Sequence, residues 1–185
     1  MGNSMRRSRK KIQVGRVPPR SCGGSSLGRG RKMARRVLVA LGSNLGDREA
    51  ELDQARGHLQ DQGLQCLERS QVHELPPYGD PFGPSYLNQV LLYSSPHDPW
   101  RLLELAKDWE RSRGRVPTPR NGPRPIDVDL LAFEGVRVTS PRLTLPHPRL
   151  GGRTFLLPLL SEIPSGAGTL ERILRPHEAG RCLAP

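Results

Sequence analysis

Residues 37–60 read Val-Leu-Val-Ala-Leu-Gly-Ser-Asn-Leu-Gly-Asp-Arg-Glu-Ala-Glu-Leu-Asp-Gln-Ala-Arg-Gly-His-Leu-Gln. The apolar run 37–41 predicts a buried strand. Residues 42–46 carry turn chemistry, and Asp47 is placed to cap a helix. Leu52, Ala55 and Leu59 recur at helical spacing, so that helix buries one face; Gly63 ends it. Working outward, 64–72 predicts a second strand. Residues 76–84 form a loop with four Pro and two Gly. The alternation over 86–93 predicts another strand. Asp98-Pro99 opens a helix, with a cap followed by Pro at the first helical position; Leu102, Ala106 and Trp109 form its buried stripe. Residues 114–125 are a basic, proline-rich loop. Strand 126–133 follows, with 136–138 as a short hairpin partner. A last helix over 150–160 is limited by Pro158, and no clear strand pattern follows Ser165. The order is β-α-β-β-α-β, which predicts an α+β fold: a ferredoxin-like sandwich, mainly antiparallel, with helices on one face. That fold hosts many activities, so function must come from a site.

The chain of 185 residues has a net charge of +11. Residues 1–36 hold 12 of the 29 Lys and Arg and no Asp or Glu, so the remainder is nearly neutral at −1. The expected organisation is a disordered basic tail over 1–36 and one domain over 37–185. Sharper readings of the tail are weaker. Arg6 stands where a myristoylation signal wants Ser or Thr. An organelle transit peptide lacks its amphipathic helix. The glycine-rich 23–32 stretch has neither a preceding strand nor a closing Gly-Lys-Ser/Thr. Translation from Met33 is a further alternative. Three cysteines, Cys22, Cys66 and Cys182, suit a reducing compartment without a disulfide framework, and the expectation is a cytoplasmic protein. No apolar run reaches about 18 residues, so no membrane span is predicted.

The chemistry concentrates in residues 110–129, Glu-Arg-Ser-Arg-Gly-Arg-Val-Pro-Thr-Pro-Arg-Asn-Gly-Pro-Arg-Pro-Ile-Asp-Val-Asp. Asp127 and Asp129 are two apart on a strand, so both carboxylates share one face, with Cα atoms roughly 6.5 Å apart. Two carboxylates can bracket one or two hard cations. Magnesium suits such a set, because phosphate oxygens and waters complete its shell; zinc would want His or Cys, and His147 is the one nearby candidate. Upstream lie Arg111, Arg113, Arg115, Arg120 and Arg124, and guanidinium forks match phosphate oxygens. The competing reading is a solvated salt-bridge network. Pro123 and Pro125 weigh against it, since they stiffen the approach to the strand and fix the direction of Arg124.

Residues 122–129 resemble the signature Gly-Pro-Arg-x-Ile/Leu-Asp-Val/Leu-Asp of the 6-hydroxymethyl-7,8-dihydropterin pyrophosphokinase family. Three further blocks agree in order. Residues 41–46 resemble the family's opening. Pro76-Pro77 with Tyr86-Leu87-Asn88 resembles its pterin-pocket loop and strand. Residues 143–148 with Arg153-x-Phe155 resemble its closing block. The likeness runs from about 37 to 174. It implies transfer of pyrophosphate from ATP to the hydroxymethyl pterin in folate biosynthesis, giving AMP without a covalent enzyme intermediate. Asp127 and Asp129 would hold two magnesium ions; with Arg115 and Arg124 they form the catalytic set. Arg115, Arg120, Arg124, His147 and Arg153 would bind ATP phosphates, and Leu130 and Thr144 would line the nucleotide site. Gly42, Asn44, Leu75, Pro76, Tyr86, Asn88 and Phe155 would form the pterin pocket. Two positions depart from the family: Pro117 stands where a basic residue is frequent, and Asn121 where an aromatic one is. Both bear on loop closure.

Two other functions compete: a magnesium-dependent nucleotide hydrolase using the same carboxylates, and a nucleic-acid-binding module driven by the tail. The near-neutral domain and its few aromatics argue against base reading. The expected partners are therefore ATP and the pterin, with no nucleic acid bound by the folded domain, no membrane, and a monomeric state. His58, His73, His97 and His177 show no partner pattern, Trp109 is read as core, and Glu110 as a capping or pairing residue.

Overall fold

The computed structural model describes residues 34–77, 83–115, 122–148, 150, 156–163 and 165. Seven strands and three helices follow one another in these residues. They are β1 (Arg35–Ser43), α1 (Arg48–Asp61), β2 (Gln65–Arg69), β3 (His73–Leu75), β4 (Tyr86–Ser95), α2 (Pro99–Ser112), β5 (Asp127–Phe133), β6 (Val138–Thr139), β7 (Thr144–Leu145) and α3 (Leu156–Ser161). The main sheet runs β2-β4-β1-β5 with β3 also paired to β4, and every pairing is antiparallel. The fold is α+β. The expected six-element succession is interrupted by β3 and extended by β6, β7 and α3.

The central strand explains itself. Val37 to Ser43 are all buried, because both faces of β1 are covered. Val37, Val39 and Leu41 pack with Leu52, Ala55 and Leu59 of α1 and Leu102 and Ala106 of α2. Leu38 and Ala40 pack on the other side with Val90, Leu92, Leu131 and the α3 residues Leu156, Leu159 and Leu160. A strand covered twice reads as a continuous apolar run. Helices therefore lie on both faces, not one as expected, since α3 covers the second.

A register shift between Leu38 and Val39 marks a bulge in the β1–β5 pairing. Val128 and Leu130 face α1 and α2, and so does Phe133, whereas Leu131 and Ala132 face α3. The extra residue switches the alternation, so both ends of β5 contribute to the helix-covered core.

Three elements differ from expectation. The predicted strand 64–72 breaks at Ser70, whose hydroxyl accepts from Val90 N at 3.1 Å; pairing resumes as β3. The predicted hairpin of 136–138 with β5 is not formed. β6 pairs with β7 instead, because Ser140 closes a local turn on Leu143 through two bonds of 3.0 Å. The last helix predicted over 150–160 is seen as α3 over Leu156–Ser161, with residues 151–155 outside the described residues.

Both caps form as expected. Asp47 Oδ1 accepts from Ala50 N at 3.1 Å, and Asp98 Oδ1 from Arg101 N at 2.9 Å. Trp109 packs against the core but also stacks on His58, with ring centroids 4.4 Å apart, so that histidine does have a partner. His73 pairs with Glu162 at 2.6 Å, and His97 Nε2 bonds Gln62 O at 2.7 Å. No helix among the described residues is long and apolar enough to cross a membrane. Of the tail expected over 1–36, residues 1–33 lie outside the described residues, as does His177, whereas Arg35 and Arg36 open β1, with Arg36 bonded to Glu134.

Leu131 is fully buried. Leu131→Ala is expected to cost about 2–5 kcal/mol and Asp98→Ala about 1 kcal/mol, read as shifts in urea midpoint. Equal costs for the two would contradict this assignment of core and cap.

Candidate active site

Cross-strand partners share a face, and this brings the predicted residues together. Gly42 pairs with Asn88 on one side and Asp127 on the other; Ala40 pairs with Asp129. Asp127 and Asp129 therefore lie on the face opposite Val128 and Leu130. Tyr86 and Asn88 share that face by alternation with Val90 and Leu92. α3 packs over its apolar half; Tyr86, Asn88, Asp127 and Asp129 form its polar, half-buried end. A Cβ on Gly42 would stand 3.3 Å from Asn88 Oδ1 and 3.9 Å from Asp127 Cβ. Glycine suits the position because a Cβ would crowd the Asn88 side chain, while its approach to Asp127 would be an ordinary contact.

The approach loop is braced by backbone capture. Asn44 is buried; its Oδ1 accepts from Arg124 N at 2.8 Å, and its Nδ2 donates to Pro84 O at 3.4 Å. The Tyr86 hydroxyl donates to Gly122 O at 3.1 Å. Arg124 is thereby aimed. Its Nη1 donates to Asp127 Oδ2 at 3.1 Å, while Arg115 Nη1 donates to Oδ1 at 2.7 Å.

Glu110 completes this cluster and was under-read in the sequence. It is buried, accepts from Val128 N at 2.8 Å and from Lys107 Nζ at 2.8 Å, and pairs with Arg115 at 2.5 Å. Its signal was positional: 110 follows 102 and 106 at steps of four, on the buried stripe of α2. Burial pushes the Asp127 carboxyl up, but the charges of Arg115, Lys107 and Arg124 outweigh it and hold the group below its ordinary value. For Glu110, burial prevails over Lys107 and raises the carboxyl, with Asp127 adding to the rise. Asp127 is thus the firm anion of the pair.

The guanidinium series is divided by the fold. Arg113 is held by Glu51 through bonds of 3.0 and 2.6 Å, and Arg111 pairs with Asp108 along α2. Neither reaches the Asp127 cluster in any of these contacts. Leu130 is buried among the core residues facing α1 and α2, so its main chain alone can line a nucleotide site. Thr144 lies on β7, which packs against β5, and His147 N donates to Leu131 O at 2.7 Å. Leu75 pairs with Tyr86 and Pro76 is exposed beyond it. Arg120, Arg153 and Phe155, with Pro117 and Asn121, lie outside the described residues.

As a donor set, the face offers two carboxylates. No cluster of three His, Cys, Asp or Glu able to hold a metal occurs among the described residues. Two carboxylates suit a hard cation whose remaining ligands are waters and phosphate oxygens.

Two carboxylates on one face, with two guanidiniums converging on Asp127 and an antiparallel sheet behind them, suit a phosphoryl-transfer enzyme. Residues 38–165 match the family model of 7,8-dihydro-6-hydroxymethylpterin-pyrophosphokinase, and the chain belongs to that family. It is similar to the 2-amino-4-hydroxy-6-hydroxymethyldihydropteridine pyrophosphokinase of Methylorubrum extorquens, 40% identical over 129 residues, covering 69% of this chain and 82% of the relative. The Bacillus subtilis protein of that name is 37% identical over 128 residues, 69% and 77% of the two chains. The mitochondrial folate synthesis bifunctional protein of Arabidopsis thaliana is 34% identical over 131 residues, 71% of this chain and 24% of the plant protein.

Glu110→Gln isolates positioning from stability. Because its folded pKa lies above the ordinary 4.5, ionising Glu110 opposes folding; its stabilising share is full below that value and is lost as pH rises through the folded pKa. Glutamine can still accept from Val128 N without that cost. The variant should therefore match or exceed the parent in urea stability at neutral pH. Its KM for ATP should rise and kcat/KM fall about tenfold or more, with KM for the pterin unchanged. A purely structural Glu110 would instead lower the melting temperature and spare the ATP KM.

Proposed function

We propose that the Asp127–Asp129 face and its guanidinium border carry the transfer of pyrophosphate from ATP to 6-hydroxymethyl-7,8-dihydropterin. The enzyme is an ATP-dependent diphosphokinase of folate biosynthesis. The observation that carries the site assignment is the convergence of Arg115 and Arg124 on Asp127, directly across β1 from Asn88.

Asp127 and Asp129 would hold magnesium, two ions in this reading, which when bound would offset the charge of the ATP phosphate oxygens. Arg115 and Arg124 occupy the Asp127 oxygens in the structure. An arriving triphosphate competes for both guanidiniums and draws them onto its own oxygens, which leaves the carboxylate free to ligate. Arg120, His147 and Arg153 extend this phosphate cradle, and Thr144 and the Leu130 main chain border the nucleotide. The pterin lies against Gly42, Leu75, Pro76 and Phe155, with its polar edge on Asn88. Asn44 and Tyr86 hold the approach loop over it. The hydroxymethyl oxygen attacks the β-phosphorus in line, loses its proton, and the bond to the α-phosphoryl oxygen breaks to release AMP. Positioning and charge stabilisation supply the catalysis.

The wider reading is a ferredoxin-like core, with β3, β6–β7 and α3 as additions, in a domain over 37–185. Residues 1–36 would stay outside the chemistry. The protein would act as a cytoplasmic monomer that binds neither nucleic acid through its folded domain nor a membrane.

Asp127→Ala and Asp129→Ala are each expected to lower pterin-dependent AMP formation at least about a thousandfold, with native circular dichroism. ATP, magnesium and the pterin together should yield AMP and no ADP, and omission of either magnesium or pterin should stop the reaction. Near-parent turnover in either variant would contradict the carboxylate assignment, and AMP formed without pterin would point to a hydrolase.

A further inference from the structure

A cavity of about 270 Å³ lies between α1 and the edge strand β2, away from the aspartate face. Arg56, Cys66, Leu67, Glu68, Arg69 and Tyr93 line it, with Gln60 at its margin. Tyr93 belongs to the core cluster facing α1 and α2, on the side of the sheet opposite Asp127. It is also five residues along β4 from Asn88, about 17 Å by strand rise. The cavity is therefore separate from the site already described.

Three observations point to a ligand there. Tyr93 is fully buried, yet its hydroxyl has no hydrogen-bond partner among the described residues. A buried hydroxyl left unmade costs about 1–3 kcal/mol, and such groups are uncommon in native proteins. Tyr93 lines the cavity, and the charged and polar groups that act on its hydroxyl, Cys66, Arg56 and Arg69, are cavity residues too. Burial pushes its pKa up, which keeps it a neutral donor.

The second observation is charge. Arg56 is held by Gln89 at 2.7 Å and pairs with Asp53. The Arg69 side chain has no hydrogen bond or ion pair among the described residues. Burial, and then repulsion from Arg69, lower the Arg56 pKa; an anion between the two would relieve that repulsion. Third, the one acid on the lining is already spoken for. The Glu68 carboxylate accepts from Ser165 N at 2.9 Å and from the Ser165 hydroxyl.

We propose that this cavity is a binding site for a small oxyanion, a phosphate or carboxylate group, held by the guanidiniums of Arg69 and Arg56 and the hydroxyl of Tyr93. Guanidinium forks take such groups bidentately, and the tyrosine supplies a directed third donor. Cys66 and Leu67 give one wall an apolar surface, which suits a ligand carrying a short carbon skeleton. The size admits a small metabolite and not a nucleotide.

The test is amide-resolved NMR on the full chain, titrated separately with inorganic phosphate and with succinate. Saturable shifts are expected at Cys66, Leu67 and Tyr93 with at least one probe; which probe saturates tells phosphate from carboxylate recognition. Arg69 is exposed, so Arg69→Gln should fold normally and weaken the binding about tenfold. Tyr93→Phe should weaken it a few-fold without loss of stability. Shifts at Asp127 and Gly42, which report phosphate in the active site, should be unaffected by Arg69→Gln. No saturable shift at the cavity amides with either probe, or equal affinity in Arg69→Gln, overturns the proposal.

Discussion

A half-buried carboxylate gripped by two guanidiniums governs this structure. Burial alone would push the Asp127 carboxyl up, and a protonated carboxyl is a poor partner for guanidinium or cation. Arg115, Lys107 and Arg124 together hold its pKa below the ordinary value, and the surrounding contacts position the two arginines. Glu110 holds Arg115 from below while pinning the start of β5 through Val128 N. Asn44 and Tyr86 hold the loop that carries Arg124. Neither arrangement adds much net stability, since buried ion pairs roughly offset their desolvation. What they contribute is aim.

The sheet separates this polar work from folding. Its α1–α2 face is mainly apolar, with buried Gln89 bonded to Arg56, while the opposite face is apolar under α3 and polar beyond it. The β1–β5 bulge makes that division possible on one strand. Asp127 and Asp129 point to the site, yet Phe133, at the even-spaced end of β5, still enters the α1–α2 core. Gly42 is the matching constraint on β1, where any side chain would press on Asn88.

Local chemistry was well expressed in the sequence. The strand–turn–helix at 37–60, the caps Asp47 and Asp98, and the shared face of Asp127 and Asp129 rest on neighbours within four residues, and the chain displays such neighbours directly. Long-range partners were not so displayed. Arg111, Arg113, Arg115 and Arg124 look alike in a basic stretch, and only the fold sends Arg113 to Glu51 and Arg115 to Asp127. Glu110 read as an ordinary pairing residue because its burial depends on α2 docking against β5. α3 was expected, but its face was not, since a buried central strand is equally apolar on both sides. β3 was hidden by the Ser70 interruption, where a hydroxyl replaces a ladder hydrogen bond.

The central claim, that the Asp127–Asp129 face takes cation and triphosphate together, is open to a direct spectroscopic test. Manganese added with a non-hydrolysable ATP analogue broadens amide signals near the bound ion. The account predicts selective loss of the Asp127, Val128, Asp129 and Gly42 signals, reversed by excess magnesium, with Tyr93 and Leu67 left sharp. Broadening centred elsewhere, or absent from these four while the analogue binds, would contradict it.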